Sequence, residues 1–294
     1  MDTTSQAKPK ILILGGATGL LGQALAKKAT DEHYDVIATG RGDFDPTNTD
    51  VLERFIDDTR PDIVCNTIAY TGVDQAEEEE EAAMLLNRVL PCSLGRIIKK
   101  RPSIYLMHFS TDFVFDGKAQ EPYSETDKTA PQSVYGKSKL AGENALLELQ
   151  LEKFCIIRTA WLFGPDKKNF VSTILDHCAQ GKALSIVHDQ TGSPTYTPDL
   201  AAYSLKLFET GGHGIFHLAN SGTATWCELA SEAVRMAQMV CTITPISSKD
   251  YPQKATRPTF SRLSTAKFTE HTGIVPRQWP QALADYVYSS ISPA

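Results

Sequence analysis

The sequence predicts an α/β fold, a Rossmann-type doubly wound parallel sheet followed by a smaller C-terminal region. Three observations point there. Short apolar runs alternate with longer amphipathic stretches through the first half of the chain, a glycine-rich turn follows the first run, and a tyrosine and a lysine four residues apart open a helical stretch after the fourth. Such alternation calls for a parallel sheet covered by helices, with ligands at the carboxyl ends of the strands. Residues 1–160 are read as mainly a dinucleotide-binding domain and 161–294 as mainly a substrate-binding region, with the chain crossing between the two.

In chain order the strands are Ile11–Leu14, Val36–Thr39, Ile63–Asn66, Ile104–Phe109 and Phe154–Arg158, each a short apolar run. Glu77–Glu81 reads as the solvated start of a helix, where acids favour the N-terminal dipole. Past Trp161 the rhythm loosens into Gly/Pro/Thr-rich loops at 189–198 and 254–258, and between them lie a helix at Asp199–Phe208, a strand at Gly214–Leu218 and a helix at Thr225–Val240. Loops of that kind suit a region that covers a substrate.

Composition narrows the classes. At roughly 150 residues per domain, 294 residues allow one large domain or two closely joined ones. A hydrophobic fraction of 41% and a charged fraction of 22% exclude wholesale disorder. With 29 basic against 35 acidic residues the net charge is −6, so no general field draws the protein to nucleic acid or to an anionic membrane, and neither is expected as a partner. Ile11–Leu14 falls far short of the ~20 apolar residues of a membrane span and of a signal peptide's apolar stretch, so the chain is read as cytoplasmic. Six cysteines without a C-x-x-C pair are read as reduced thiols. His213 and His217 fall in strand-like text that does not hold them on one helical face, and no metal is expected.

The turn Gly15-Gly16-Ala17-Thr18-Gly19-Leu20-Leu21-Gly22 sits between the first strand and a helix. Gly16 takes the turn, Gly19 lets backbone N–H groups approach a pyrophosphate, and Gly22 allows close helix–strand packing, with the anion at a helix N-terminus. The second strand leads into Gly40-Arg41 without an immediate acid to grip a bare 2′-hydroxyl. Arg41 suits a 2′-phosphate and favours NADPH, while Asp43 and Asp45 stand close enough to serve a ribose, which keeps NADH as the alternative.

Thr111 closes the fourth strand, and Tyr135 and Lys139 follow on a helical stretch. One helical turn puts phenol and ammonium on one face, where the ammonium is expected to draw the phenol below its ordinary ~10. A phenol so tuned can protonate the oxygen of a carbonyl that receives hydride, and the Thr111 hydroxyl can hydrogen-bond that oxygen.

Taken with Arg60-Pro61-Asp62-Ile63-Val64-Cys65-Asn66, the 69–77 segment, Ser110-Thr111-Asp112-Phe113-Val114-Phe115-Asp116-Gly117, the 134–143 segment, Arg158-Thr159-Ala160-Trp161, Asn169-Phe170, the 189–195 segment and Arg257–Leu263, the chain resembles the extended short-chain dehydrogenase/reductases and, within them, the dTDP-4-dehydrorhamnose reductase family. The resemblance runs along nearly the whole chain. It implies a catalytic set of Thr111, Tyr135 and Lys139, with Lys139 also on the nicotinamide ribose. A dinucleotide would be lined by Gly16, Thr18, Gly19, Leu20, Leu21, Gly22, Arg41, Asp45, Ala69, Tyr70, Thr71, Tyr135 and Lys139. For the nucleotide sugar it implies Thr111, Asp112, Trp161, Asn169, Gln190, Ser193 and Arg257. The implied reaction is reduction of the C4 keto group of dTDP-4-dehydro-L-rhamnose.

Two departures from the family pattern stand out. Thr67-Ile68 replaces the Ala-Ala many relatives carry, which alters the cofactor pocket. Ala24 stands where some members have a glutamate of a dimer-bridging magnesium site, and Thr197–Leu200 supplies no replacement, so neither that metal nor that dimer is expected, and the chain is read as a monomer or weak homodimer. A dehydratase would need a second acid after the strand-four threonine, whereas Asp112 is followed by Phe113. Two alternatives stay open: a reductase or epimerase of another nucleotide sugar, and a non-catalytic NADP-binding regulatory subunit like the β subunit of methionine adenosyltransferase.

Overall fold

The structure, a computed structural model, describes residues 8–291, so the outermost residues of both expected units, 1–7 and 292–294, lie outside it. The first half runs β1 (Lys10–Leu14), α1 (Leu20–Asp31), β2 (Asp35–Ala38), α2 (Thr49–Thr59), β3 (Ile63–Asn66), α3 (Glu80–Met84), a π turn (Leu85–Val89), α4 (Leu90–Lys99), β4 (Tyr105–Thr111), α5 (Val134–Glu148) and β5 (Phe154–Thr159). The second half runs β6 (Leu162–Phe163), α6 (Phe170–Ala179), β7 (Leu184–Val187), β8 (Thr191–Gly192), β9 (Thr195–Tyr196), α7 (Thr197–Glu209), β10 (Gly214–His217), β11 (Ala224–Thr225), α8 (Trp226–Met236), β12 (Ile243–Ile246), α9 (Ala266–Thr272) and α10 (Trp279–Ile291).

Six strands form one parallel sheet in the order β10-β5-β4-β3-β1-β2. The chain moves outward from β1 to β2 and then back past it to β3. The carboxyl ends of β1 and β3 therefore flank the topological switch point where such sheets bind ligands. Both faces are covered. Ile11 and Ile13 of β1 face the cluster with Leu25 of α1 and Leu205 of α7, while Leu12 and Leu14 face the one with Leu52, Leu94 and Leu146 of α2, α4 and α5. That double burial explains why these strands read as unbroken apolar runs rather than as alternating ones.

The sixth strand comes from the far half of the chain, for Gly214–His217 pairs with β5 from Gly214↔Cys155 to His217↔Arg158. The rest of that half gathers α6, α8 and α10 around a second core that includes Val171, Ile174, Leu229 and Leu283. α8 stops at Met236, short of the expected Val240, because Gln238 takes a positive φ of 54° and Met239 N–H turns back to the Val234 carbonyl.

The thiol reading needs one correction: Cys178 and Cys241 form a disulfide with Cα atoms 5.3 Å apart. They stand 63 residues apart, and only folding brings the end of α6 to the segment before β12. Cys65, Cys92, Cys155 and Cys227 are free. Among the described residues no helix is long and apolar enough to cross a membrane.

Candidate active site

At the end of β1 the left-handed residue is Gly15, with φ 85°, and not Gly16. Gly16 is glycine for another reason, since a Cβ there would lie 2.8 Å from that of Ala38 on β2. Gly22 makes the close approach expected of it, for a Cβ would stand 2.3 Å from the Gly15 carbonyl oxygen. α1 begins at Gly19 without a side-chain cap, so its first-turn amides form the open end of a 12-residue helix, a donor set suited to a pyrophosphate. Thr18 is exposed beside it, and Leu20 and Leu21 form the first turn.

Arg41, just past β2, is exposed and has no ion-pair partner among the described residues, which fits an arginine waiting for an anion. The carboxylates beside it are engaged locally. Asp43 accepts from Gly40 N–H at 2.7 Å, and Asp45 accepts from the Thr47 N–H and hydroxyl at 2.9 and 2.7 Å. Asp45, expected at the ribose, thus also braces its own turn, through Oδ1 alone.

Ala69, Tyr70 and Thr71 follow β3, and what fixes them is Asn87, a residue of the π turn that had no assigned role. Its side chain accepts from Tyr70 N–H at 2.9 Å and donates to the Tyr70 carbonyl at 3.1 Å and to the Ser138 hydroxyl of α5 at 2.9 Å. Gly142 makes room for that turn, because a Cβ there would meet the Asn87 carbonyl at 2.0 Å. The acidic run works as well as being solvated: Glu77 accepts from Val134 N–H at the start of α5, Glu79 from the Tyr70 phenol, and Glu78 pairs with Lys254.

Thr111, Tyr135 and Lys139 come together at the carboxyl edge of β4. Thr111 ends the strand, and its hydroxyl accepts from Phe113 N–H and meets the Tyr135 phenol. α5 starts at Ser133, whose hydroxyl accepts from Gly136 N–H, which places Tyr135 in the first turn. A side chain at Gly136 would strike the Phe113 carbonyl, so the glycine lets the Tyr135 turn seat against the β4 exit.

The expected phenol–ammonium coupling is overturned. Burial pushes Tyr135 up to about 12, and Lys139 turns its ammonium to the Phe109 carbonyl at 2.6 Å. The i,i+4 spacing does put both residues on one face, but desolvation dominates the phenol and a backbone acceptor holds the amine. Burial pushes Lys139 down to about 8, opposed by the Glu143 carboxylate one turn further on. Glu143 is itself held by Arg158, with Nη2–Oε2 2.6 Å, and by the Ser110 hydroxyl. Burial pushes Asp112 up to about 6, against hydrogen bonds from the Ser261 and Thr111 hydroxyls.

The residues expected on the nucleotide sugar divide. Trp161 stacks on Trp226 beside Gly192, and Gln190 is buried with no hydrogen bond to another described residue. Three others are occupied structurally. The Asn169 side chain caps α6, accepting from Ser172 N–H and donating to the Gly164 and Lys167 carbonyls and the Tyr286 hydroxyl. Ser193 accepts from Leu263 N–H. Arg257 forks onto Asp74 at 3.0 and 2.7 Å, which with the Ala255 and Lys254 amides holds that carboxyl at about 2. It latches the C-terminal loop to the segment after β3. Glu143 could have been found from its place four residues past Lys139, whereas Asn87 and Asp74 carry no local signal. Among the described residues no cluster of three or more His, Cys, Asp or Glu could hold a metal.

The sheet thus brings Thr111, Tyr135 and Lys139 to the same carboxyl edge from which the uncapped, glycine-lined helix α1 leaves, the layout of a dinucleotide-dependent oxidoreductase. The chain belongs to the family described as "RmlD substrate binding domain", whose model matches residues 9–291. It is 38% identical over 276 residues to a "Probable dTDP-4,6-dihydroxy-2-methyloxan-3-one 4-ketoreductase" of Streptomyces antibioticus, covering 93% of each chain. It is also 38% identical over 286 residues to the dTDP-4-dehydrorhamnose reductase of Aggregatibacter actinomycetemcomitans, covering 92% of this chain and 96% of that one. The crystal structure of dTDP-4-dehydrorhamnose reductase from Bacillus anthracis in complex with NADP is similar at a TM-score of 0.92 and 32% identity, over 96% of this chain and 99% of that one.

Proposed function

We propose that the protein reduces the C4 keto group of dTDP-4-dehydro-L-rhamnose to dTDP-L-rhamnose with NADPH, as a cytoplasmic enzyme of nucleotide-sugar synthesis. The observation that carries this reading is the meeting of the Thr111 hydroxyl and the Tyr135 phenol, with Lys139 one turn on, at the carboxyl edge of the sheet from which the open end of α1 also leaves. The N-terminus of α1 would hold the pyrophosphate, Arg41 the 2′-phosphate, and Ala69–Thr71 with Lys139 the nicotinamide half. Bound NADPH supplies the hydride.

Tyr135 gives the carbonyl oxygen its proton. Lifted by burial to about 12, the phenol stays protonated at neutral pH, the form that a reduction consumes. The Thr111 hydroxyl bonds the same oxygen, and Lys139 holds the cofactor ribose and carries positive charge toward the site. Asp112, Trp161 and Gln190 line the sugar nucleotide.

A second reading keeps the reaction and changes the sugar; the Streptomyces antibioticus relative, a ketoreductase of a different dTDP sugar by name, favours it. The test follows NADPH absorbance with dTDP-4-dehydro-L-rhamnose and with a second dTDP-4-keto sugar, beside Tyr135→Phe. Loss of NADPH with the first sugar that vanishes in the variant is the expected result. Turnover confined to the second sugar selects the other reading, and NADPH binding without turnover of either sinks both in favour of a regulatory subunit.

A further inference from the structure

We propose that Trp226 is a positioning residue of the sugar-nucleotide site, holding the indole of Trp161 in the orientation that meets substrate. The inference rests on the proposed function for the identity of the ligand.

Trp161 leaves β5 with a backbone φ of 48°, a left-handed conformation that a bulky side chain adopts only when its surroundings impose it. Two neighbours do so. One is Gly192, where a Cβ would come within 2.4–2.7 Å of three atoms of the indole. The Trp226 ring lies parallel to the same indole, with centroids 3.6 Å apart and planes 4° from coincidence. Free aromatic pairs prefer offset or edge-to-face arrangements, so a stack this square is set by the chain around it.

These two neighbours are joined covalently and by pairing. β8 and β11 form an antiparallel pair in which Ala224 faces Gly192 and Thr225 faces Thr191. Trp226 follows Thr225 as the first residue of α8. There a capping box locks the helix start, with Thr225 N–H donating to Glu228 Oε2 at 2.7 Å and Glu228 N–H to the Thr225 hydroxyl at 3.1 Å. Phe170, next to the cap of α6, leans on Trp226 at 4.7 Å and 58°. Two segments that the sequence places around substrate, at Trp161 and Asn169-Phe170, thus meet on one ring outside them both, and the third, 189–195, pairs with the strand that leads into it.

Tyr135 and Lys139 are seated by hydrogen bonds of their own, at the Ser133 cap of α5 and on the Phe109 carbonyl of β4. Loss of Trp226 therefore releases Trp161 and weakens binding while leaving the proton donor seated. The test compares Trp226→Ala, Trp226→Phe and Trp161→Phe. Readouts are kcat and KM for dTDP-4-dehydro-L-rhamnose, calorimetric binding of dTDP to the NADP-loaded protein, and the exciton couplet that stacked indoles give in far-UV circular dichroism.

The expected result for Trp226→Ala is a KM and a dTDP dissociation constant raised about tenfold with kcat within about threefold. Trp226→Phe, which keeps a flat ring, regains most of the affinity, and the couplet vanishes in all three variants. Unchanged dTDP binding in Trp226→Ala overturns the proposal. So does a loss of kcat and affinity together with a lowered melting temperature that Trp226→Phe fails to restore, since that describes a packing residue only. If the parent turns over no keto sugar yet dTDP binding still weakens in Trp226→Ala and returns in Trp226→Phe, the proposed reaction fails and the positioning role stands.

Discussion

Glu143→Gln is the most demanding test of how the site is built. Glu143 is fully buried and Arg158 only 3% exposed. The guanidinium reaches the carboxylate through Nη2 at 2.6 Å and through Nε at 3.0 and 3.2 Å, and the Ser110 hydroxyl donates to the same group. Arg158 Nη1 makes no hydrogen bond among the described residues, and beyond the carboxylate the cation meets the face of Phe115 at 5.1 Å. Removing the negative charge strands a buried positive one, and losses from such half-broken pairs run to about 3–5 kcal/mol. Urea unfolding at pH 7 should show that loss for Glu143→Gln. The double variant Glu143→Leu, Arg158→Met, which removes both charges, should recover most of it. The same substitution withdraws the carboxylate that favours the Lys139 ammonium, which burial already pushes down to about 8, so the alkaline fall in kcat/KM expected from Lys139 should move to lower pH. A cost below about 1 kcal/mol, or a double variant as unstable as the single, would refute the reasoning.

Three further outcomes are expected. Because Asp112 is raised from 3.8 to about 6, its ionisation costs stability as pH rises through about 6, roughly 3 kcal/mol at pH 8, so the gain from Asp112→Asn measured by urea unfolding should be larger at pH 8 than at pH 4. Arg41→Ala should raise KM for NADPH by roughly 10- to 100-fold and leave KM for NADH nearly unchanged, and equal effects on both would remove the 2′-phosphate role. Cys241→Ser should lower stability by about 4 kcal/mol, the loop-closure value for the 63-residue span, and reductant should abolish the difference from the parent.

The sequence by itself determined the elements whose signals are local. Unbroken apolar runs marked β1 to β5 because a doubly covered strand hides both its faces, and glycine spacing located the phosphate turn to within one residue, Gly15 and not Gly16 taking the positive φ. A four-residue interval placed Tyr135 and Lys139 on one face of α5. The tertiary structure alone decided what each side chain does with its charge. Burial raised Tyr135 and lowered Lys139, so the phenol is kept as a donor by desolvation and not activated by its neighbour. Asn169, Ser193 and Arg257, read as ligand residues, also cap, brace and latch, roles that periodicity does not reveal because their partners Ser172, Leu263 and Asp74 are in part far away in sequence. Asn87, the Cys178–Cys241 bond and the Trp161–Trp226 stack share that origin. Period and spacing record which way a residue faces along its own element, whereas pKa, pairing and stacking depend on groups that chain folding brings in from elsewhere.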